Sequence, residues 1–288
     1  MIGRSVHLQC RDWSAVVLPE FGANAVRLRY KDRDVLHTPV NAEQLRREPW
    51  LYGTPLLMPP NRVEDGTFSF DGETYRLEIN EPRHRNHIHG FLATAPFAVE
   101  ELSGNRVVCV HENKGGRYPF PFRMTVISSL GEEGFLQQIE LHNPSNADIP
   151  VMLGLHTAFA EPETFSVPIG RRWETSDRHI PTGKLLELDE RERGYVRGSR
   201  SIGVAISGFY TAAGHTAHIG DYRYRVSEMF TQWVLYNGGG GKGFLCIEPQ
   251  SGPVNGLNRP DGYIRLKKKE SVRFWAAISR GGEQPCRK

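Results

Sequence analysis

Arg123-Met124-Thr125-Val126-Ile127-Ser128-Ser129, followed beyond Gly131 and Gly134 by Phe135-Leu136-Gln137-Gln138-Ile139-Glu140-Leu141-His142, alternates apolar and polar side chains along most of its length. Successive side chains of an extended chain point to opposite faces, so each run reads as a strand with one buried and one wet face. Glycines bound these runs, as turn residues bound the other candidate strands. Working outward, similar runs bounded by Gly, Pro, Asn and Asp recur at Ser14–Pro19, Ala25–Tyr30, Thr67–Phe70, Arg106–Glu112, Pro150–His156, Leu185–Leu188, Ser201–Ser207, Trp233–Tyr236 and Phe244–Ile247. Helical periodicity is scarce, and the one helix-compatible stretch is Asn41–Arg47. That many strands do not fit one small barrel, so the sequence predicts an all-β fold of two large antiparallel sheets packed face to face. No composition break divides the chain, and residues 1–288 read as one domain.

Composition narrows the function classes. The 288 residues are 39% hydrophobic and 24% charged, which suits a folded core and excludes disordered and fibrous classes. Lys+Arg 36 against Asp+Glu 33 leaves no basic footprint for nucleic acid or membrane surfaces. No apolar window is long enough to span a bilayer, Met1 to Cys10 lacks a signal-peptide pattern, and Cys10, Cys109, Cys246 and Cys286 stand in isolation. The expectation is a cytoplasmic protein with reduced thiols, monomeric or homodimeric.

Gly238–Gly241 followed by Lys242 invites a phosphate-loop reading. It fails because the first required glycine is Tyr236, no Ser or Thr follows the lysine, and a strand comes next; a plain hairpin connection is expected. Asp71-Gly72 supplies the positive φ of a two-residue hairpin turn.

The polar side chains that could do chemistry fall in four places. Arg83-His84-Arg85-Asn86-His87-Ile88-His89-Gly90 is the densest cluster, and in an extended backbone His87 and His89 would project from one side. A metal reading of this His-x-His needs a nearby carboxylate, and Gly90–Val99 contains none, so no metal site is expected. His156 ends the apolar run Val151–Leu155 and is expected at a cleft floor or in the interior, as a structural histidine or a proton-transfer group. Glu248 closes an apolar strand, with Pro249 expected to end regular pairing, so its carboxylate should line a cleft or meet a cation. Asn61-Arg62, after Pro59-Pro60, places a planar fork of donors in a turn, where it could hold a hydroxylated ligand or a surface ion pair.

These segments, taken in order, resemble the aldose 1-epimerase (galactose mutarotase-like) family. The resemblance is carried by Tyr52-Gly53-Thr54-Pro55-Leu56-Leu57-Met58-Pro59-Pro60-Asn61-Arg62-Val63, Asn86-His87-Ile88-His89-Gly90-Phe91, Tyr118-Pro119-Phe120-Pro121-Phe122, Gly154-Leu155-His156 and Ile247-Glu248-Pro249-Gln250-Ser251-Gly252-Pro253-Val254-Asn255, from about Val16 to the C-terminus. It implies an antiparallel β-supersandwich and a cofactor-free enzyme interconverting the α and β anomers of a small-molecule sugar. By resemblance Glu248 is the base, His156 the acid, His89 an assistant at the ring oxygen, and Arg62, Asn61, Asn86 and His87 bind substrate. Opening a hemiacetal requires one proton to leave and another to arrive, for which a carboxylate and an imidazole on opposite sides of the acetal carbon suffice. Two departures stand out: Thr157-Ala158 follows His156 where the family usually has Pro and an aromatic, and Ile206–Tyr210 stands where a substrate-contacting Asp is expected. Alternative readings are a non-catalytic carbohydrate-binding protein, or a mutarotase of a phosphorylated or otherwise anionic sugar received by Arg83 and Arg85.

Overall fold

In the computed structural model, which describes residues 4–281, the chain that alternates at Pro121–Leu130 does so without a fault, every second residue from Phe122 to Leu130 being buried. It pairs with Gly134–His142 from Arg123↔His142 to Leu130↔Phe135. These strands sit inside a nine-stranded sheet running from Ala98–Leu102 to Ser199–Arg200. An eight-stranded sheet lies opposite, with Pro181–Leu186 at one edge and Leu56–Leu57 at the other. A four-stranded sheet of Val6–Cys10, Trp13–Leu18, Asn24–Tyr30 and Arg33–Asp34 and three two-stranded ribbons complete the all-β architecture. Among the described residues every strand pair is antiparallel.

One hydrophobic cluster extends from Val6 to Ile278 and includes the fully buried Trp13, Phe159, Tyr224, Trp233 and Phe274. Each such side chain contributes about 1.5–3 kcal/mol by leaving water, so the aromatic layer between the sheets is a main source of stability. Asp71 (φ 50°) and Gly72 (φ 84°) make the expected two-residue turn, with Phe70↔Glu73 closing it. The Gly238–Gly241 run connects Gln232–Tyr236 to Phe244–Gln250, which pair antiparallel.

The helix at Ala42–Arg47 is capped by Asn41, whose side chain accepts from Gln44 N–H. A second helix, Glu190–Arg197, was not expected; it carries a capping box between Asp189 and Glu192 and little apolar periodicity. Two strand expectations are corrected. Ser201–Ser207 is not one strand: Ser199–Arg200 and Ser207–Ala212 are separated by a turn through Gly203 (φ 73°). Pro150–His156 splits into Ile149–Val151 and Gly154–Leu155, which join different sheets. Cys10, Cys109 and Cys246 are free thiols, and Cys286 lies outside the described residues. Among the described residues no helix is long and apolar enough to cross a membrane.

Candidate active site

The strand Phe244–Gln250 is buried on both faces. Leu245 and Ile247 point into the inter-sheet core, so the period of two sends Cys246, Glu248 and Gln250 to the opposite side. Glu248 stands across from Val234 and, one strand further, Phe209; Cys246 stands across from Tyr236 and Ser207. Ser207, Phe209, Val234, Tyr236 and Glu248 line a cleft of about 380 Å³, in the size range of small-molecule sites. A larger, shallower depression bounded by Pro19, Pro96, Phe97 and Glu112 holds no buried acid–base pair and lies apart from these residues.

Regular pairing was expected to stop at Pro249, but the strand continues, with Trp233↔Pro249 and Gln232↔Gln250 in register. The reason is the phase of the backbone. Ile247 N–H donates to Thr157 O and Ser251 N–H to Leu153 O, so Pro249, midway between them, directs its missing donor at the neighbouring segment around His156. That neighbour is itself interrupted between Gly154–Leu155 and Ala158–Ala160. His156 sits in the interruption, its N–H donating to Pro55 O.

His156 Nε2 lies 3.3 Å from Glu248 Oε1, and both side chains are nearly inaccessible to solvent. Burial disfavours charge on each. It lowers His156 to about 4 and raises Glu248 to about 8, the latter opposed by a hydrogen bond from Gln250 and by the Arg62 charge. Between those values the pair holds a single titratable proton.

His89 meets the edge of His156 with ring centroids 5.1 Å apart and tilts against Trp50 at 5.2 Å. Burial, then the neighbouring His156, Arg62 and His87, hold its imidazole well below the ordinary value. Its backbone is left-handed (φ 64°), as is that of Gly90 (φ 65°), and a Cβ on Gly90 would lie 1.9 Å from Met58 O. Only glycine fits there. His89 N–H donates to Asn61 O at 2.9 Å, while Asn86–Ile88 pairs with Arg62–Glu64, which brings His89 beside Arg62.

Arg62 is braced from behind. Its Nε and Nη2 donate to the two oxygens of Glu81 at 2.9 and 2.7 Å, and Nη1 donates to Asn61 Oδ1 at 3.2 Å. Burial alone would raise Glu81, but hydrogen bonds from Arg62 and Asn86 outweigh it and hold the carboxyl down at about 2.

Of the seven residues singled out from sequence, Asn61, Arg62, His89, His156 and Glu248 line the cleft. Asn86 and His87 do not. Asn86 donates to Glu81 Oε2 and Arg178 O, behind Arg62. His87 Nδ1 donates to Glu78 O, because the left-handed turn at His89 breaks the alternation that would have put both imidazoles on one side. Arg83 and Arg85 also lie outside the lining, Arg85 pairing with Asp65 at 3.3 Å. Among the described residues no group of three or more His, Cys, Asp and Glu is placed to hold a metal.

The cleft also contains residues that sequence reasoning missed: Arg47 at the end of the first helix, Glu48 and Trp50 just beyond it, Tyr236, and His179. His179 occupies a turn between Ile169–Thr175 and Pro181–Leu186 that Arg178 anchors to His84 O, Glu64 and Asp65, contacts too distant in sequence to be read locally. Ser207 and Phe209 fall within Ile206–Tyr210, the segment that stands where a substrate-contacting Asp is expected, and it supplies no carboxylate to the cleft. Thr157 turns from the cleft, its hydroxyl 2.7 Å from Tyr224 Oη.

A two-sheet antiparallel sandwich whose larger strands floor a cleft with a buried carboxylate and imidazole has the architecture of the galactose mutarotase-like proteins. Residues 4–279 match the aldose 1-epimerase family, and the chain belongs to it. A galactose mutarotase-like protein from Clostridium acetobutylicum has the same fold, with TM-score 0.88 at 24% identity over 96% of this chain and 95% of that one. Galactose 1-epimerase from Lactobacillus acidophilus NCFM gives TM-score 0.78 at 17% identity, over 96% and 95%. The Escherichia coli (strain K12) protein YihR is 25% identical over 292 residues, 96% of this chain and 93% of its own length.

Proposed function

We propose that the protein is an aldose 1-epimerase that interconverts the α and β anomers of a free sugar by general acid–base ring opening. The observation that carries this reading is the buried 3.3 Å contact between His156 Nε2 and Glu248 Oε1. The anomeric hydroxyl oxygen and the ring oxygen are bonded to the same carbon, so groups that serve both at once must stand side by side. The working form is Glu248 ionised and His156 protonated, reached from the resting pair when its one proton crosses that contact.

Glu248 takes the proton from the anomeric hydroxyl, and the O–H electron pair becomes the carbonyl π bond. The C1–ring-oxygen bond breaks, and the ring oxygen receives its proton from His156, with neutral His89 donating a hydrogen bond there. Rotation about C1–C2 presents the other carbonyl face, and the steps reverse with acid and base exchanged. Arg62, held in orientation by Glu81, grips the sugar hydroxyls with its remaining N–H groups. Trp50 offers an aromatic face for the sugar's C–H groups. No cofactor takes part in these steps. We read residues 1–288 as a single domain, supported by the continuous core from Val6 to Ile278.

The test is anomer-exchange NMR over a panel of neutral and 6-phosphorylated aldoses. Acceleration of at least one sugar is expected. Binding without acceleration would favour a non-catalytic carbohydrate protein.

A further inference from the structure

Glu248 has two oxygens, and only one faces His156. The other, Oε2, accepts from Gln250 Nε2 at 3.3 Å. Gln250 is two residues along the same strand, wholly buried, and therefore on the same face as Glu248. Space for it is made by Gly154, its partner in register, where a Cβ would come within 3.2 Å of Gln250 Cγ and 2.7 Å of Pro60 Cβ. The amide is not there for its own satisfaction, since its Oε1 is buried with no hydrogen-bond partner among the described residues. Such an atom is costly, and an apolar side chain of the same shape would avoid the cost.

We propose that Gln250 is the positioning residue of the base: its amide turns Oε1 of Glu248 toward His156 and favours the ionised carboxylate, biasing the shared proton toward the imidazole. This rests on the acid–base reading above. The contrast with Glu81 explains why an amide is used. A guanidinium fork holds Glu81 ionised down to about 2, where it is too weak a base to accept a sugar hydroxyl proton near neutrality. A neutral donor orients Glu248 and supports its ionised form while leaving it basic, with its carboxyl at about 8. The other titratable groups around Glu248 are Arg62, His156 with His89 at its edge, Tyr224, Tyr236, and Cys246 on its own strand. None of these is a neutral amide, and apart from His156 none is within hydrogen-bonding distance of the Glu248 carboxylate.

The experiment uses the full chain with Gln250→Leu and the near-isosteric Gln250→Glu, reading the Glu248 carboxyl by ¹³C NMR titration and anomer exchange against pH. Losing a donor to the charged form raises a carboxyl pKa. In Gln250→Leu the Glu248 titration and the alkaline limb of kcat/KM should therefore both move up by about one pH unit, and the plateau should fall roughly tenfold. In Gln250→Glu two carboxyls share the site, and the upper titration step should move up at least as far. A titration within about 0.3 unit of wild type in both variants, or a uniform loss of rate with no moved limb, overturns the proposal. A wild type that titrates as described yet exchanges no anomer refutes the enzymatic reading alone, since the carboxyl titration still decides the role of Gln250.

Discussion

His156 and Glu248 touch across a fault in the sheet: the imidazole occupies the interruption between Gly154–Leu155 and Ala158–Ala160, and the carboxylate rises from the intact strand beside it, 3.3 Å away. Pro249, next to Glu248, has no N–H to offer toward that neighbour, while Ile247 and Ser251 on either side donate to Thr157 O and Leu153 O.

The contact predicts a plateau-shaped pH profile. With His156 lowered to about 4 and Glu248 raised to about 8, both groups carry protons below the plateau and neither does above it. Anomer-exchange kcat/KM should fall on both sides, the two limbs belonging to the pair rather than to either residue. A rate that keeps rising above pH 9 would contradict this.

Stability should follow the same two groups with opposite signs. Glu248 has its folded value raised from 4.5 to about 8, so the folded protein holds the extra proton and loses stability as pH rises through that window. His156 is lowered from 6.5 to about 4, so its contribution is present above 6.5 and lost as pH falls toward 4. Thermal melts of wild type and Glu248→Gln across this range should converge at the acid end and diverge in favour of the variant at the alkaline end.

Glu81 acts on substrate only through Arg62, so Glu81→Gln should raise KM by about tenfold with a smaller change in kcat, as expected for a weakened charge-assisted pair. Glu81→Ala should do more, since Asn86 Nδ2 then also loses an acceptor. Steady-state exchange rates over a range of sugar concentration separate the two parameters.

Gly90→Ala should destabilise by about 1–3 kcal/mol or more, because the residue is left-handed and the added methyl meets a backbone carbonyl. A lower Tm with activity reduced through displacement of His89 is the expected result. An unchanged Tm would mean that the turn after His89 is not held as described.

Much of this arrangement was legible beforehand because it is written locally. The alternation of Pro121–Leu130 specified a sheet face, and the contiguous segments around Arg62, His89, His156 and Glu248 placed those residues in one cleft. The failures have physical causes. A single left-handed residue at His89 redirected His87, which no period-of-two argument can anticipate. Asn86 turns its amide to Glu81 and away from the cleft, a side-chain contact that the local sequence does not specify. His179 reaches the cleft through a turn fixed by the long-range contacts of Arg178, and Trp50 through its packing against His89. The helix Glu190–Arg197 lacks an apolar stripe, and its one local signal is Asp189 followed three residues later by Glu192.

The central claim is that Glu248 and His156 together move the two protons of ring opening. The most direct measurement is anomer exchange by NMR on a sugar that the wild type accelerates, repeated with Glu248→Gln and His156→Gln. Each variant should bind that sugar and lose about 10²–10⁴-fold in exchange rate, the usual contribution of a proton-transfer group. Exchange at the wild-type rate in either variant would contradict the account.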